Sequence, residues 1–341
     1  MPRATLNAAT AWITEEALRH PRTLAERLAA RLPTSRRSAH QWLRRLVEAG
    51  WLVNEGTPRR PQHAPGLLRQ VVRRYPLAGL DEHAPWSRDF APCFALPPAL
   101  ARIAQHAFTE LVNNAIDHSG GASVAVSLRQ TPSHLQLLVS DDGCGLFQRI
   151  GQCFGIDDPA VATLELSKGK LTSQPERHSG RGLFFTAQLA DVLDIHANRQ
   201  AFQRRAWDGG RWHATRAAAE CGTSVFVGIA LDTPRRVDEV LRGHSLDGAG
   251  YAFERTRVPL ALLTAAHTGL ESRAQAKRAA ERLTRFRRAE IDFAGVGEVG
   301  HGFADELFRV FTRAHPGTEL VPVNMAPPVA ALVDSVRCGT A

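Results

Sequence analysis

Cysteine is scarce in this 341-residue chain, and its five copies (Cys93, Cys144, Cys153, Cys221, Cys338) are scattered and never spaced C-x-x-C. That pattern excludes a zinc knuckle and a disulfide framework, and predicts reduced thiols. Long apolar runs are also missing: 260–266 (LALLTAA) falls far short of the ~20 residues of a membrane span. The opening MPRATLNAATAWIT has no basic-then-apolar run of a secretion signal, so a cytoplasmic chain without a membrane anchor is expected. Neither Asp nor Lys occurs in the first 75 residues, which hold fourteen Arg and five Glu, a net of +9. The whole chain is +8, so the rest sums to −1 and the basicity belongs to one end. Such a localised excess is the footprint of polyanion binding, most often nucleic acid. Composition is otherwise that of a globular protein, with 44% hydrophobic and 22% charged residues, and the length fits two or three domains of roughly 100–150 residues each.

Within the basic end, Thr23 and Glu26 form a T-x-x-E capping signature ahead of Leu24, Leu28 and Leu32, and Pro33 stops that helix. A second helix follows, with Ala39, Trp42, Leu43, Leu46 and Val47 on one face and Gly50 closing it. Its other face carries Arg36, Arg37, Gln41, Arg44 and Arg45, groups that read base edges or clamp phosphates. Trp51-Leu52-Val53, a turn at Asn54-Glu55-Gly56 and the basic Arg59-Arg60 predict a strand, turn and return. Over about seventy residues this resembles winged helix-turn-helix regulators, which implies contacts with double-stranded DNA from those seven polar residues. A helix pair used for protein contact fits the same pattern.

The middle of the chain holds the chemistry. Leu100, Ile103, Ala104, Ala107, Phe108, Leu111, Val112, Ala115 and Ile116 keep helical period over 98–118. Glu110, Asn113, Asn114 and Asp117 share one stripe of that helix. Alternating strands are predicted at 122–128 and 135–139, followed by Asp141-Asp142-Gly143-Cys144-Gly145. There, glycines allow close backbone approach and a carboxylate can accept from an exocyclic amine. Further on, Ser179-Gly180-Arg181-Gly182-Leu183 opens an apolar helix, whose free N–H groups suit a phosphate.

E-L-V-N-N-A-I-D-H-S, V-S-D-D-G-C-G, H-S-G-R-G-L and G-T-S-V-F-V, in this order over about 95–232, resemble the GHKL ATPase superfamily of gyrase, the heat-shock chaperone ATPase, histidine kinases and the mismatch-repair ATPase. The resemblance implies that ATP and Mg2+ are bound, with Glu110 as general base, Asn114 as the Mg2+ ligand and Asp141 as acceptor of the adenine amine. By the same resemblance Gly143 and Gly145 shape the adenine pocket, Gly180 and Gly182 face the phosphates, and Thr223 closes the far strand. Residues 146–179 would form the ATP lid, with Lys168 and Lys170 its only cations at a plausible phosphate-facing site. A chain that binds ATP without hydrolysing it would keep the same residues.

Toward the C-terminus a helix at 271–286, a strand at 289–293, a helix at 303–313, a strand at 319–324 and a helix at 329–336 are predicted. IDFAGVGEVGHGFADELFRVF resembles the STAS-like domains of some bacterial GHKL proteins, themselves similar to anti-sigma-factor antagonists. Those antagonists carry a phosphorylatable hydroxyl before the helix, where this chain has Gly300-His301-Gly302. Asp305 and Glu306 suit either a partner contact or first-turn charge at a helix N-terminus.

The fold expected is therefore multidomain α+β: a winged helix over 1–75, a GHKL (Bergerat) α/β sandwich over 76–235 and a small STAS-like α/β domain over 236–341. The function expected is an ATP-binding and ATP-hydrolysing regulator of transcription, a homodimer on DNA, with a further protein partner for the STAS-like domain. The alternative is an anti-sigma-factor-type serine/threonine kinase acting on a separate partner. A sensor histidine kinase fits less well, because His106 lies inside the ATP-site helix rather than on a preceding dimerisation helix.

Overall fold

Leucines one turn apart and a serine at the right place decide the first module. The computed structural model describes residues 6–32, 34–172, 180–215, 221–264 and 269–339. Pro33, Ser179 with the rest of 173–179, and the last two residues of 260–266 lie outside the described residues. Helices α1 (Leu6–Thr10), α2 (Ile13–Arg19), α3 (Leu24–Arg31) and α4 (Arg36–Glu48) precede a hairpin of β1 (Leu52–Asn54) and β2 (His63–Pro65), paired antiparallel. Trp12, Ile13, Leu24, Leu28, Leu43, Leu46 and Trp51 fill one core between them. Ser35 caps α4 by accepting from the Ser38 N–H at 3.1 Å. At the other end Gly50, with φ +80°, lets Trp51 N–H reach Leu46 O and Gly50 N–H reach Val47 O. The capping signature at Thr23 forms differently: Thr23 is the N-cap of α3, but no side chain caps it. Glu26 instead lies 3.7 Å from Arg36. Helices α2 and α3 are joined by Glu16, which accepts from Arg27 Nε at 3.0 Å and Arg31 NH1 at 3.1 Å. Burial pushes the Glu16 carboxyl up, and the two guanidiniums outweigh it and hold it below the usual range.

The chain divides into two compact units, Met1–Asp142 with Ser224–Pro234, and Gly143–Thr223 with Arg235–Ala341. In the first, β3 (Arg69–Pro76), β4 (Ser123–Gln130), β5 (His134–Asp141) and β9 (Thr223–Ala230) lie in that spatial order, every pairing antiparallel. The register aligns Val71, Leu128, Leu137 and Val227 in one row across the sheet, all buried. Between β3 and β4 run α5 (His83–Pro85) and the long helix α6 (Pro98–His118). Proline at the first position of α6 costs no hydrogen bond there. Its buried face carries Leu100, Ile103, Ala104, Ala107, Phe108, Leu111, Val112 and Ala115, as the periodicity predicts, and packs against β5. Trp86 and Phe90 close on Phe108 at 5.4 and 5.0 Å between ring centroids.

The second unit holds an antiparallel group of three strands and a three-stranded parallel sheet. Strands β6 (Val192–Ala197), β7 (Gln200–Arg205) and β8 (Arg211–Thr215) form an antiparallel meander beside α7 (Leu146–Phe154), α8 (Pro159–Lys168) and α9 (Gly182–Leu189). After α10 (Val237–Gly243), strands β10 (Arg255–Pro259), β11 (Arg288–Asp292) and β12 (Glu319–Val323) pair in parallel. The connections that parallel pairing requires are α11 (Ala261–Thr264) with α12 (Arg273–Ala280), and α13 (His301–Asp305) running into a π-helical turn, Glu306–Phe311, and α14 (Thr312–Ala314). Helix α15 (Pro327–Cys338) ends the chain's regular structure, with Gly339 left-handed at its C-cap. The sequence predicts β11, β12 and their helices but not β10, whose Arg255, Thr256 and Arg257 disguise an alternating half-buried strand.

Candidate functional site

Helix α6 carries the predicted carboxylate–amide stripe. Glu110, Asn113, Asn114 and Asp117 are all half-buried, so the stripe is not a plain solvated face. Glu110 and Asp117 each hold a polar partner. One turn earlier, burial pushes the His106 imidazole down, and its Nε2 has no hydrogen-bond partner among the described residues. A neutral ring inside the helix agrees with the expectation that His106 is not an exposed phosphoacceptor.

The two aspartates of D-D-G-C-G have different jobs. Asp142 accepts from the N–H groups of Ala122 and Ser123 at 2.8 and 2.9 Å and from the Ser123 hydroxyl at 2.7 Å, tying down the start of β4. Those bonds, the Ser123 N–H foremost, hold its carboxyl below the usual range. Asp141 ends β5 opposite Val124 and has an interaction of its own.

The glycine loop that follows is held by a residue that sequence reasoning missed. Gly145 is the N-cap of α7 with φ +90°, and a Cβ there would come within 2.5 Å of the Asn198 side chain. Asn198 Nδ2 donates to Cys144 O at 2.9 Å, and Asn198 Oδ1 accepts from Gln148 N–H at 3.1 Å. Asn198 and Arg199 both have positive φ and form the two-residue turn between β6 and β7. The signal was an Asn in a two-residue gap between alternating segments; without a glycine it was easily passed over.

In the second glycine motif, Gly180 has φ +65° and its carbonyl accepts from Lys170 N–H at 2.9 Å. A Cβ on Gly180 would fall 2.6 Å from Leu171 O. Gly182 begins α9, whose N-cap Arg181 makes no side-chain cap hydrogen bond. Thr223 begins β9 and is hydrogen-bonded or paired.

The expectation for Lys168 and Lys170 needs a correction. Lys168 does not face a phosphate: it is 1% exposed, and its ammonium meets Glu165 and the carbonyls of Glu281 and Arg278. Lys170 donates to Arg285 O at 2.6 Å and lies 4.3 Å from the Phe286 ring. Burial, with Arg181 nearby, pushes Lys170 down to about 8. An unfolded lysine titrates at about 10.4, so from about pH 8 upward the unfolded chain holds the extra proton and stability rises with pH. Denaturant titrations should show this rise in the parent and a flatter profile in Lys170→Met; an identical profile would assign the titration to another group.

In the N-terminal module Arg36, Arg37, Gln41, Arg44 and Arg45 are all exposed along α4, and Arg59 and Arg60 are exposed in the loop between β1 and β2. Among the described residues Arg37, Arg44, Arg45, Arg59 and Arg60 have no acidic partner. In the C-terminal sheet Gly300 caps α13, and a Cβ there would lie 2.7 Å from Glu271 Cα. Position 300 has no room for a side chain: the Glu271 backbone covers this turn, and a parallel bridge joins Leu270 to Val299 beside it.

Residues 77–207 match the family described as histidine kinase-like ATPase domain, and residues 275–330 match a STAS-like domain of unknown function. No curated protein matches the chain. The protein is a mixed α/β multidomain chain containing a histidine kinase-like, GHKL-type ATPase domain and a C-terminal STAS-like domain. Among the described residues no helix is long and apolar enough to cross a membrane. No cage of three His, Cys, Asp or Glu side chains occurs among them either. Mg2+ arriving on nucleotide phosphates needs no such cage: one or two hard oxygen donors suffice, and the Asn114 amide oxygen is of that kind.

Proposed function

We propose that this chain binds and hydrolyses Mg-ATP and that its nucleotide state controls binding of double-stranded DNA by the basic N-terminal module. The observation that carries the reading is the coexistence of an ATPase domain over 77–207 with a helix, α4, whose outer face is guanidinium and amide. In this reading 1–75 is a winged helix, with the β1–β2 hairpin as its wing, 76–235 binds nucleotide, and 236–341 is the STAS-like domain. The protein works in the cytoplasm as a homodimer, with the STAS-like domain open to a protein partner.

Each assigned role follows from chemistry at its position. Glu110 takes the proton of the attacking water, and Asn114, one turn on, offers its oxygen to Mg2+. Bound Mg2+ neutralises phosphate charge. Asp141 accepts from the adenine amine, while Gly143 and Gly145 let backbone lie against the base. Gly180 and Gly182 leave N–H groups at the start of α9 for the phosphates, and Thr223 borders the site from β9. ATP shifts DNA affinity only by the difference in its own affinity for the DNA-competent and DNA-incompetent arrangements.

The test is retention of genomic fragments at fixed salt, with and without Mg-ATP. A nucleotide-dependent change in the retained set supports the switch. Tight ATP binding with no DNA retention favours the serine/threonine kinase alternative. Replacing Arg37 and Arg44 together by Ala should lower DNA affinity on the order of tenfold and reduce the slope of log K against log salt by about 2. Unchanged affinity and slope would leave α3 and α4 as a protein-contact pair.

A further inference from the structure

The end of α8 and the start of α9 are both bound to the C-terminal part of the chain. At the end of α8, Lys168 places its ammonium on the carbonyls of Arg278 and Glu281, at the C-terminal end of α12, where a helix concentrates negative charge. Glu165 sits beside it and takes a second cation, Arg282, at 3.1 Å. The Lys168 carbonyl accepts from Thr256 Oγ1 of β10 at 2.6 Å in a buried bond. Two residues later the exchange is reciprocal: Lys170 Nζ donates to Arg285 O, and Arg285 NH1 donates to Lys170 O at 2.9 Å.

The returning end meets the same surface. Lys170 N–H bonds to Gly180 O, so departure and return are adjacent. From there Phe184 and Phe185 of α9 enter one buried cluster with Phe253 and Phe286, the closest ring centroids 4.7 Å apart. Gly169 has φ +78° and no room for a Cβ, which would fall 2.7 Å from the Phe253 ring. The backbone of the second glycine motif is therefore positioned by residues 253–256 and 278–286, outside the match to the ATPase domain.

We infer that the C-terminal domain anchors the end of α8 and the second glycine motif, so that nucleotide occupancy and the state of the C-terminal domain are thermodynamically linked. This rests on the nucleotide reading above and gives the STAS-like domain a role within its own chain. Linkage is reciprocal: a partner that engages 278–286 changes nucleotide affinity, and nucleotide changes that partner's affinity by the same factor.

Hydrogen exchange of the full chain, with and without a non-hydrolysable ATP analogue and Mg2+, tests the linkage. In the parent, the analogue should slow exchange at 253–256 and 278–286. In the double variant Arg282→Ala/Arg285→Ala, with an unchanged circular dichroism spectrum, the Kd for the analogue should rise on the order of tenfold and the slowing at both segments should vanish. Arg285→Lys, which can still donate to the Lys170 carbonyl, should retain most of it. If the double variant does not fold, Thr256→Val removes the donor to the Lys168 carbonyl and is read the same way. A parent that binds the analogue with no change at 253–256 and 278–286, or a folded variant with the parent's Kd, overturns the anchor. A parent that binds no analogue overturns the nucleotide reading first, and the anchor with it.

Discussion

Glu110→Ala is expected to lower ATP turnover by ~10²–10⁴-fold, the usual contribution of a positioned general base, while nucleotide affinity changes little. The direction follows from where Glu110 sits. Helix α6 is fixed by Phe108 and its aromatic neighbours on one side and by β5 beneath it, so removing one half-buried carboxylate leaves its course intact. A proton acceptor acts only as the water is attacked, so kcat should fall with KM nearly constant. Phosphate release at saturating ATP, paired with equilibrium binding of the analogue, separates the two effects. Glu110→Gln should lose turnover as fully as Ala, since the amide keeps the shape and loses the basicity. Turnover at the parent's rate in either variant would remove Glu110 from the mechanism, and weakened binding with normal kcat would make it a binding group.

Much of this arrangement was legible in the residue pattern, for identifiable reasons. Helix α6 is long and its apolar face repeats over five turns, so period alone locates it and places Glu110 and Asn114 on one stripe. Helix α4 is placed by its apolar period and by Gly50, which closes it as expected, whereas the Ser35 cap at its start is not singled out by the pattern. Local signals failed where a long-range partner decides the outcome. Nothing near Lys168 in the sequence tells that its ammonium will be buried against carbonyls more than a hundred residues away. Asn198 likewise matters because a hairpin turn brings it back over Gly145. Strand β10 escaped because two of its five residues are arginines, tolerable in a parallel sheet here because Arg257 pairs with Asp292 of β11. Thr23 shows the opposite error, a correct local signature whose side-chain bond does not form.

Glu165→Ala should be the most damaging single substitution for stability, costing about 3–5 kcal/mol, because it leaves a buried ammonium without its counter-charge. Lys168 is 1% exposed and Glu165 also 1%, so water cannot replace the lost partner. Burial already pushes the Lys168 ammonium down, with Glu165 opposing. Without Glu165 that opposition goes, and the variant should regain stability as pH rises, since the unfolded chain then binds the proton the folded chain refuses. Glu165→Leu combined with Lys168→Met should cost much less than Glu165→Ala, because an apolar pair of similar volume buries no charge. In that double variant Arg282 keeps Glu281 at 3.2 Å. Urea unfolding at two pH values decides the matter. A midpoint for Glu165→Ala close to the parent's and insensitive to pH would mean that Lys168 reaches solvent and that α8 is not held through this pair. A large loss recovered by the apolar double variant would locate the cost in the unpaired charge rather than in the helix itself.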